Sequence, residues 1–171
     1  QAYGSDTLST HALMRTGVLQ LHRWGLLPMV MAEGTPEIRF TTFHYGREAL
    51  RLSIKPEHGV NYLCAPRRTV LDRVLVDAAR KAGAEVHHGI CLADVEFDSG
   101  GQAIGVRLKD TDASEHTVRC DFVIGADGRQ STVARLVNAE VYAEADSSSA
   151  YVFGYFENLH RVGFHWHFAE N

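Results

Sequence analysis

The stretch DFVIGADGRQSTVAR, residues 121–135, constrains the fold more than any other part of this chain. An apolar run ends at Asp127 and Gly128, and a helical pattern follows over residues 130–137. A continuous apolar run of this kind indicates a strand that is buried on both faces, as in parallel sheets. A strand, a tight turn and a helix in this order predict an α/β fold. Ligands of open α/β sheets bind at the carboxyl ends of strands, which is where Asp127 and Gly128 are predicted to lie.

The rest of the chain alternates between helical and strand patterns. Residues 66–83 form the clearest predicted helix, with one apolar face and a stop at Gly83. Two short helices separated by Gly25 and Pro28 are predicted after Thr16, and a hairpin is predicted around Gly46. The further predicted strands cover residues 85–89, 93–98, 103–110, 116–120, 122–126, 150–159 and 162–168. The strand-rich section is assigned to a second layer or domain.

Composition narrows the classes of partner. A chain of 171 residues with 45% hydrophobic content can bury one core. Its net charge is -4, and the sequence has no stripe of basic residues that would bind nucleic acid. No apolar run has the length of a membrane span. Cys64, Cys91 and Cys120 are odd in number and widely spaced, which is typical of reduced thiols in a cytoplasmic protein. A small molecule is therefore the expected partner, and the oligomeric state is left open.

Two sets of residues could bind an anion or a polyol, and each also has an ordinary structural explanation. Arg67 and Arg68 lie in the first turn of the helix over 66–83, where cations cost a few tenths of a kcal/mol, by roughly the usual dipole magnitudes, unless an anion binds. Long arginines can equally remain solvated. Asp127 could accept hydrogen bonds from sugar hydroxyls while Gly128 admits a ligand closely. Alternatively, Asp-Gly is a common turn and Ser131 is a helix N-cap.

Three segments together resemble the flavoprotein hydroxylases of the p-hydroxybenzoate hydroxylase type. DFVIGADGRQSTVAR resembles the Asp-Gly fingerprint of that family. MRTGVLQLHRWGLL, residues 14–27, resembles the segment that follows the family's first crossover. Residues 66–86 resemble the helix whose first turn touches the flavin nucleotide. The three segments follow the order of the family across residues 7–138, so the combination is far more specific than any one motif.

The resemblance implies cofactor contacts at five positions, Arg15, Arg68, Asp127, Gly128 and Arg135. Arg15 takes the place of the arginine that contacts the FAD pyrophosphate, and Arg68 takes the position at the flavin nucleotide. Asp127 takes the place of the aspartate that reaches the riboflavin part of FAD and helps to bind NAD(P)H. Arg135 stands one residue after the usual arginine of the motif.

The implied fold is an FAD/NAD(P)-binding Rossmann-like domain over residues 1–140, with a strand insertion around 37–62. The start of a substrate-domain sheet follows at 141–171. The implied function is that of an FAD-dependent, NAD(P)H-dependent monooxygenase that hydroxylates a small organic substrate, with no catalytic residue assigned. Two alternatives stay open: a flavin-dependent reductase of isoprenoid lipids, similar to geranylgeranyl reductases, and a truncated, non-catalytic α/β domain that binds a partner.

The chain also departs from the family pattern. No two glycines are separated by a single residue, so the G-x-G-x-x-G motif of the family is absent. The later Gly-Asp motif that holds the ribityl chain is absent as well. We therefore expect an internal fragment of a longer flavoenzyme, which alone binds FAD weakly or not at all.

The predicted strand over 162–168 carries both aromatic and imidazole side chains. Tyr155 and Trp166 are candidates for an aromatic substrate pocket, although ordinary sheet packing explains them equally well. His165 and His167 flank Trp166 and share one face, a spacing that can seat a metal ion. No third ligand is evident nearby, so no metal site is predicted. Cys64 is assigned no chemistry, because most single cysteines are simply buried.

Overall fold

The structure, a computed structural model, describes residues 2–9, 12–145, 152–160 and 162–169. They form two compact units of a mixed α/β fold, one from residues 2–86 with those from 152 onwards and one from residues 87–145. The elements of the first unit are α1 (Arg15–Arg23), α2 (Leu27–Ala32), β1 (Glu37–Ile38), β2 (Phe40–Tyr45), β3 (Glu48–Ser53), β4 (Leu63–Cys64), α3 (Arg68–Lys81) and β8 (Phe164–Phe168). Those of the second unit are β5 (Cys91–Phe97), β6 (Ala103–Lys109), β7 (Glu115–Arg119) and α4 (Thr132–Leu136).

The apolar faces of α1, α2 and α3 build the core of the first unit. The predicted break between the first two helices is confirmed, because Gly25 adopts a φ of +71° and the chain reverses there. Pro28 lies in the first turn of α2, where its missing N–H leaves no helical hydrogen bond unmade. The buried members of this core are Val18, Leu21, Leu27, Val30, Val60, Cys64 and Val74.

Helix α3 is confirmed with the predicted stop, and at Arg68–Lys81 it is two residues shorter at each end than the predicted range 66–83. Gly83 has a φ of +95°, and the N–H of Ala84 donates to the carbonyl of Ala79 at 3.0 Å, which closes the last turn. The chain enters this helix from β4, whose Leu63 pairs with Ile38 of β1. Because β4 ends at Cys64, its pairing with β1 anchors the chain just before the arginines at the start of α3.

A three-stranded sheet in the order β3-β2-β8 completes the first unit. The hairpin around Gly46 is confirmed, and β8 pairs in parallel with β2. Paired residues share a face of the sheet. One face carries Thr42, His44, His165 and His167, and the other carries Phe43, Tyr45, Trp166 and Phe168. The predicted strand over 150–159 is wrong for residues 152–159, which form no strand; residues 150 and 151 lie outside the described residues.

The second unit is an antiparallel meander of β5, β6 and β7, followed by α4. The predicted turns between these strands are confirmed. The carboxylate of Asp98 accepts the backbone N–H of Gly100 and of Gln102, each at 2.9 Å. Asp110 does the same for the turn before β7. The predicted helix after Gly128 is confirmed as α4, which at Thr132–Leu136 is shorter at both ends than the predicted range 130–137.

Two further predicted strands are wrong. Residues 85–89 and 122–126 form no strand, and the side chains of Phe122 and Ile124 are each 86% exposed. A strand forms only when a neighbour pairs its N–H and C=O groups, and no strand of the described residues lies beside either run. In the described part of the chain, no helix is both long and apolar enough to cross a membrane.

Candidate functional site

Arg68 is the first residue of α3, and its guanidinium is held by a carboxylate one turn further along. Its Nε and Nη2 donate to the two oxygens of Asp72, each at 2.7 Å. This bidentate pair raises the pKa of Arg68, with the hydrogen bond as the main cause. Asp72 takes two of the five N–H donors of the guanidinium, so three remain to face a ligand. The pair orients Arg68 without using up its capacity to bind an anion.

Arg67 precedes Arg68 and is also paired with a carboxylate. It forms an ion pair with Asp6, and this hydrogen bond raises the pKa of Arg67. Its guanidinium carbon lies 4.3 Å from the ring centroid of Tyr155, which meets Phe153 edge-on at 6.3 Å. The predicted pocket residue Tyr155 therefore lies beside the first turn of α3, with 60% of its surface exposed.

Arg15 opens α1 and is fixed by the loop that follows β3. Its Nη1 donates to the backbone carbonyl of Lys55 at 2.9 Å and lies 3.8 Å from the carboxylate of Glu57. The side chain of Arg15 is 35% exposed. Arg15 and Arg68, the two arginines that the resemblance assigns to the pyrophosphate and the flavin nucleotide, thus stand at the first position of a helix, with one side open to solvent.

Asp127 is bound to the start of α4. Its carboxylate accepts the hydroxyl of Ser131 and the backbone N–H groups of Thr132, at 2.6 Å, and Val133, at 3.2 Å. The hydroxyl oxygen of Ser131 accepts the N–H of Ala134 at 2.9 Å, as an N-cap does. These hydrogen bonds, with Ser131 the largest cause, lower the pKa of Asp127. A carboxylate offers about four lone-pair positions, so Asp127 can still accept a hydroxyl donor from a ligand.

Gly128 and Gly125 serve different purposes on the two sides of this turn. Gly128 has a φ of +86°, and a Cβ added there would meet nothing within 4 Å. The turn is therefore open above Gly128, as close approach of a ligand requires. A Cβ on Gly125 would lie 2.9 Å from Val133, so this glycine lets α4 pack onto the preceding chain. Arg135 lies in the last turn of α4 with an exposed side chain.

Trp166 lies on the aromatic face of the three-stranded sheet and is 45% exposed. On that face Tyr45 and Phe168 stack with their ring centroids 4.9 Å apart. This packing is what an ordinary sheet gives, and the role of Trp166 in substrate binding stays a prediction. Cys64 is fully buried, and burial raises the pKa of its thiol to about 11, in line with the absence of assigned chemistry.

Two residues that complete these arrangements were missed by sequence reasoning. Asp72 lies off the apolar face of α3, and only its spacing of four residues from Arg68 signals the ion pair. His44 is the third imidazole beside His165 and His167, so the expectation that no third ligand lies nearby is wrong. The alternation along the predicted hairpin strand placed Thr42 and His44 on one face. Nothing in the sequence placed that strand beside β8.

Comparison with known proteins places these features in a family. The model of a family described as an FAD binding domain matches residues 9–163. The monooxygenase cfoF of Aspergillus candidus is 33% identical over 132 residues, which are 73% of this chain and 31% of that protein. The kynurenine 3-monooxygenase of Stenotrophomonas maltophilia is 31% identical over 106 residues, 62% of this chain and 20% of that protein. The chain thus spans a fifth to a third of the length of these relatives.

Solved structures agree on the fold. PqsL of Pseudomonas aeruginosa, in complex with 2-aminobenzoylacetate, is similar with a TM-score of 0.64 and 23% identity over 78% of this chain and 36% of that one. The FAD-dependent halogenase CndH, a myxobacterial chondrochloren halogenase, gives a TM-score of 0.61 and 20% identity over 71% of this chain and 29% of that one. The fold and the family match together define a flavoprotein FAD-binding domain. This chain belongs to the FAD binding domain family.

The residues present fit the cofactor of that family. An FAD pyrophosphate carries negative charge, and Arg15 and Arg68 present cationic donors at helix starts that already favour anions. The open turn at Gly128 leaves space that a Cβ would fill. Each of these features suits one part of FAD by charge or by shape.

Proposed function

We propose that this chain is the FAD-binding and NAD(P)H-binding part of a monooxygenase that hydroxylates a small organic substrate. Support comes from the relatives, two of which are named monooxygenases. A third relative, from Bacillus subtilis, is named as an aromatic compound monooxygenase, and PqsL was solved with an aromatic ligand. An aromatic substrate is therefore favoured.

The observation that carries this proposal is the turn of Asp127 and Gly128 in front of α4. Its glycine combines a positive φ with open space, and its aspartate is held ionised by three donors. An open glycine with a positive φ close to an anchored aspartate also occurs at Gly101, after Asp98, so what sets the Asp127 turn apart is that its carboxylate is hydrogen-bonded to the start of a helix. The same turn matches the fingerprint at its aspartate and its glycine.

Each named residue has a task that its surroundings allow. FAD, when bound, supplies the redox chemistry that uses NAD(P)H and oxygen. Arg15 and Arg68 neutralise the pyrophosphate, and their fixed carbonyl and carboxylate partners reduce the entropy lost on binding. Asp127 accepts a hydroxyl of the flavin polyol and takes part in binding NAD(P)H. Arg135 adds positive charge from α4.

The domain division also belongs to this proposal. Residues 1–140 form the nucleotide-binding domain, with the insertion around 37–62, and the substrate-domain sheet begins within 141–171. Strand β8, with Trp166, lies in that last range and pairs with β2 of the insertion, so the insertion supplies strands to the same sheet. Tyr155 is assigned to the substrate pocket of this part. The three cysteines are unpaired in the structure, which supports a cytoplasmic location.

The first test measures FAD affinity by flavin fluorescence in the full-length protein. Arg15→Ala and Arg68→Ala should each weaken FAD binding by about 10-fold to 100-fold, the worth of a charged hydrogen bond. Two matched controls should leave the FAD affinity unchanged. One is Arg23→Ala at the other end of α1. The other is Arg73→Ala on α3, where the guanidinium of Arg73 pairs with Glu33 at 2.9 Å. Unchanged affinity in both test variants would contradict the proposal.

The turn can be tested with a control for backbone strain. Gly128 and Gly101 both have a positive φ, at +86° and +82°, and open space where a Cβ would stand. Replacing either by Ala should cost about 1–2 kcal/mol of stability, because an L-residue is strained there. Only Gly128→Ala should also weaken FAD binding. Equal effects of both variants on FAD would remove Gly128 from the site.

Oxygen consumption separates this activity from the reduction of isoprenoid lipids. A monooxygenase couples NAD(P)H oxidation to oxygen uptake, whereas a lipid reductase is indifferent to oxygen. A chain that neither binds FAD nor oxidises NAD(P)H would instead be the non-catalytic binding domain. Comparison of NADH with NADPH in the same assay establishes the preferred nucleotide.

A further inference from the structure

The face of the sheet opposite Trp166 carries three imidazoles in a cluster. His44 of β2 and His165 and His167 of β8 present ring nitrogens that all lie within 4.8 Å of one another. We propose that these three histidines bind a divalent transition metal, with Zn²⁺ the best fit, and that the bound ion clamps β8 to β2. This site is independent of the nucleotide-binding function proposed above.

The spacing of the nitrogens is close to what zinc requires. Tetrahedral coordination with Zn–N bonds of about 2.0–2.1 Å places ligand atoms about 3.4 Å apart. The Nε2 of His44 and the Nδ1 of His165 are 3.0 Å apart. The parallel register fixes this approach, because His44 lies directly opposite His167 and Thr42 lies opposite His165. Backbone pairing, rather than long flexible side chains, therefore brings the ligands together.

The backbone also sets the tautomer of His165. Its Nε2 lies 3.1 Å from the carbonyl oxygen of Val162, and a carbonyl can only accept a hydrogen bond. In the neutral ring Nε2 therefore carries the proton, and the lone pair of Nδ1 points towards His44. A histidine that donates its other N–H to a backbone carbonyl is the usual arrangement around a bound metal.

Binding requires a small rearrangement that this face allows. The rings of His44 and His167 stack in parallel with centroids 4.1 Å apart, so one ring has to tilt before both lone pairs converge on an ion. His44 also has to move its proton from Nε2 to Nδ1, a tautomer exchange that changes no charge. His167 is exposed on the edge strand of the described sheet, which leaves its ring room to turn.

The site has an open side for a fourth ligand. A hollow of about 370 Å³, lined by Thr42, Arg51, His160, Val162 and His165, borders the cluster at His165. His167 is exposed, so water can supply the fourth ligand from its side of the cluster. Three histidines and one water form a common ligand set for zinc in proteins. Because β2 and β8 are separated by more than a hundred residues along the chain, a metal clamp between them closes a long loop and stabilises the fold.

The test uses the full-length protein with Zn²⁺ alone as the probe. After equilibrium dialysis at a micromolar free concentration, we expect one tightly bound Zn²⁺ at this site and an increase in the midpoint of thermal unfolding. His44→Gln, His165→Gln and His167→Gln should each weaken this binding by at least 10-fold to 100-fold, roughly the range that even supporting partners of metal ligands give. They should also abolish most of the thermal shift.

His116→Gln is the matched control, because His116 is also exposed on a strand and pairs with Asp110 at 3.3 Å. It should leave the affinity and the thermal shift unchanged. In the unsubstituted protein, Co²⁺ should give the visible absorption of a four-coordinate site, which tests coordination without any variant. Absence of stoichiometric Zn²⁺, or equal losses in His116→Gln and the three test variants, would overturn the proposal and leave the cluster as a stack of imidazoles.

Discussion

The helical core and the segment after β7 are both rich in apolar side chains, yet they end in opposite environments. Val18, Leu21 and Val30 are at most 3% exposed, whereas Phe122 and Ile124 are each 86% exposed. The core residues recur at helical spacing, and the three helices that bury them are close together along the chain. Residues 122–126 form an uninterrupted apolar run that needs strands on both sides. Apolar character alone therefore does not decide burial; a partner element within reach does.

Truncation of one apolar side chain in each region should affect the stability of the fold very differently. Leu21→Ala should lower the free energy of unfolding by about 2–5 kcal/mol, because it leaves a cavity in the core. Ile124→Ala should change it by less than about 0.5 kcal/mol, as for other exposed positions. Urea unfolding followed by circular dichroism measures both. A large loss for Ile124→Ala would mean that residues 122–126 are buried in solution.

Cys64 and Cys91 also differ in burial, and we expect their thiols to differ in reactivity. Burial raises the pKa of Cys64 from an ordinary 9.0 to about 11, which leaves roughly a hundred-fold less thiolate at neutral pH. Cys91 on β5 is exposed. In the native protein, iodoacetamide should therefore modify Cys91 at least about a hundred-fold faster than Cys64, as followed by mass spectrometry. In denaturant the two rates should become similar; a difference that persists there would show that the local sequence, and not burial, slows Cys64.

Elements whose determinants lie close together in the sequence could be predicted. Three such features were predicted from a few neighbouring residues and confirmed: the apolar face of α3 with its stop at Gly83, the break at Gly25 and the hairpin around Gly46. The three segments that resemble the flavoprotein hydroxylases also led to the correct family. These signals act through local backbone geometry and periodicity, which a single sequence displays directly.

Features that depend on distant pairing could not be predicted. The parallel pairing of β8 with β2 joins residues that are far apart in the chain. No short stretch of the sequence therefore indicates that His44 lies beside His165. The apolar run at 122–126 looked like a buried strand because burial was inferred from composition without a partner. The ion pair of Arg68 and Asp72 did have a local signal in its spacing, but solvated surface was an equally good explanation of Asp72.

We expect only a small loss of stability from removing the N-cap of α4, in the segment after β7. Ser131→Ala removes the acceptor for the N–H of Ala134 and should cost about 1 kcal/mol, the usual value of an N-cap. It also removes the main cause of the lowered pKa of Asp127, so that pKa should rise towards its ordinary value in a carbon-detected NMR titration. Thr132→Ala keeps its backbone N–H and should leave the pKa of Asp127 in place.

The direction of the accompanying pH dependence follows from the lowered pKa. A carboxyl group whose pKa is lower in the folded than in the unfolded protein stabilises the fold above the unfolded pKa, and this contribution is lost as the pH falls through the folded pKa. Asp127 should therefore contribute fully at neutral pH and progressively less on acidification below its ordinary range. In Ser131→Ala this part of the acid dependence should shrink, as measured by thermal unfolding at a series of acidic pH values. An acid dependence identical in the two proteins would show that Ser131 does not hold Asp127 ionised, and that the backbone N–H groups of Thr132 and Val133 are sufficient.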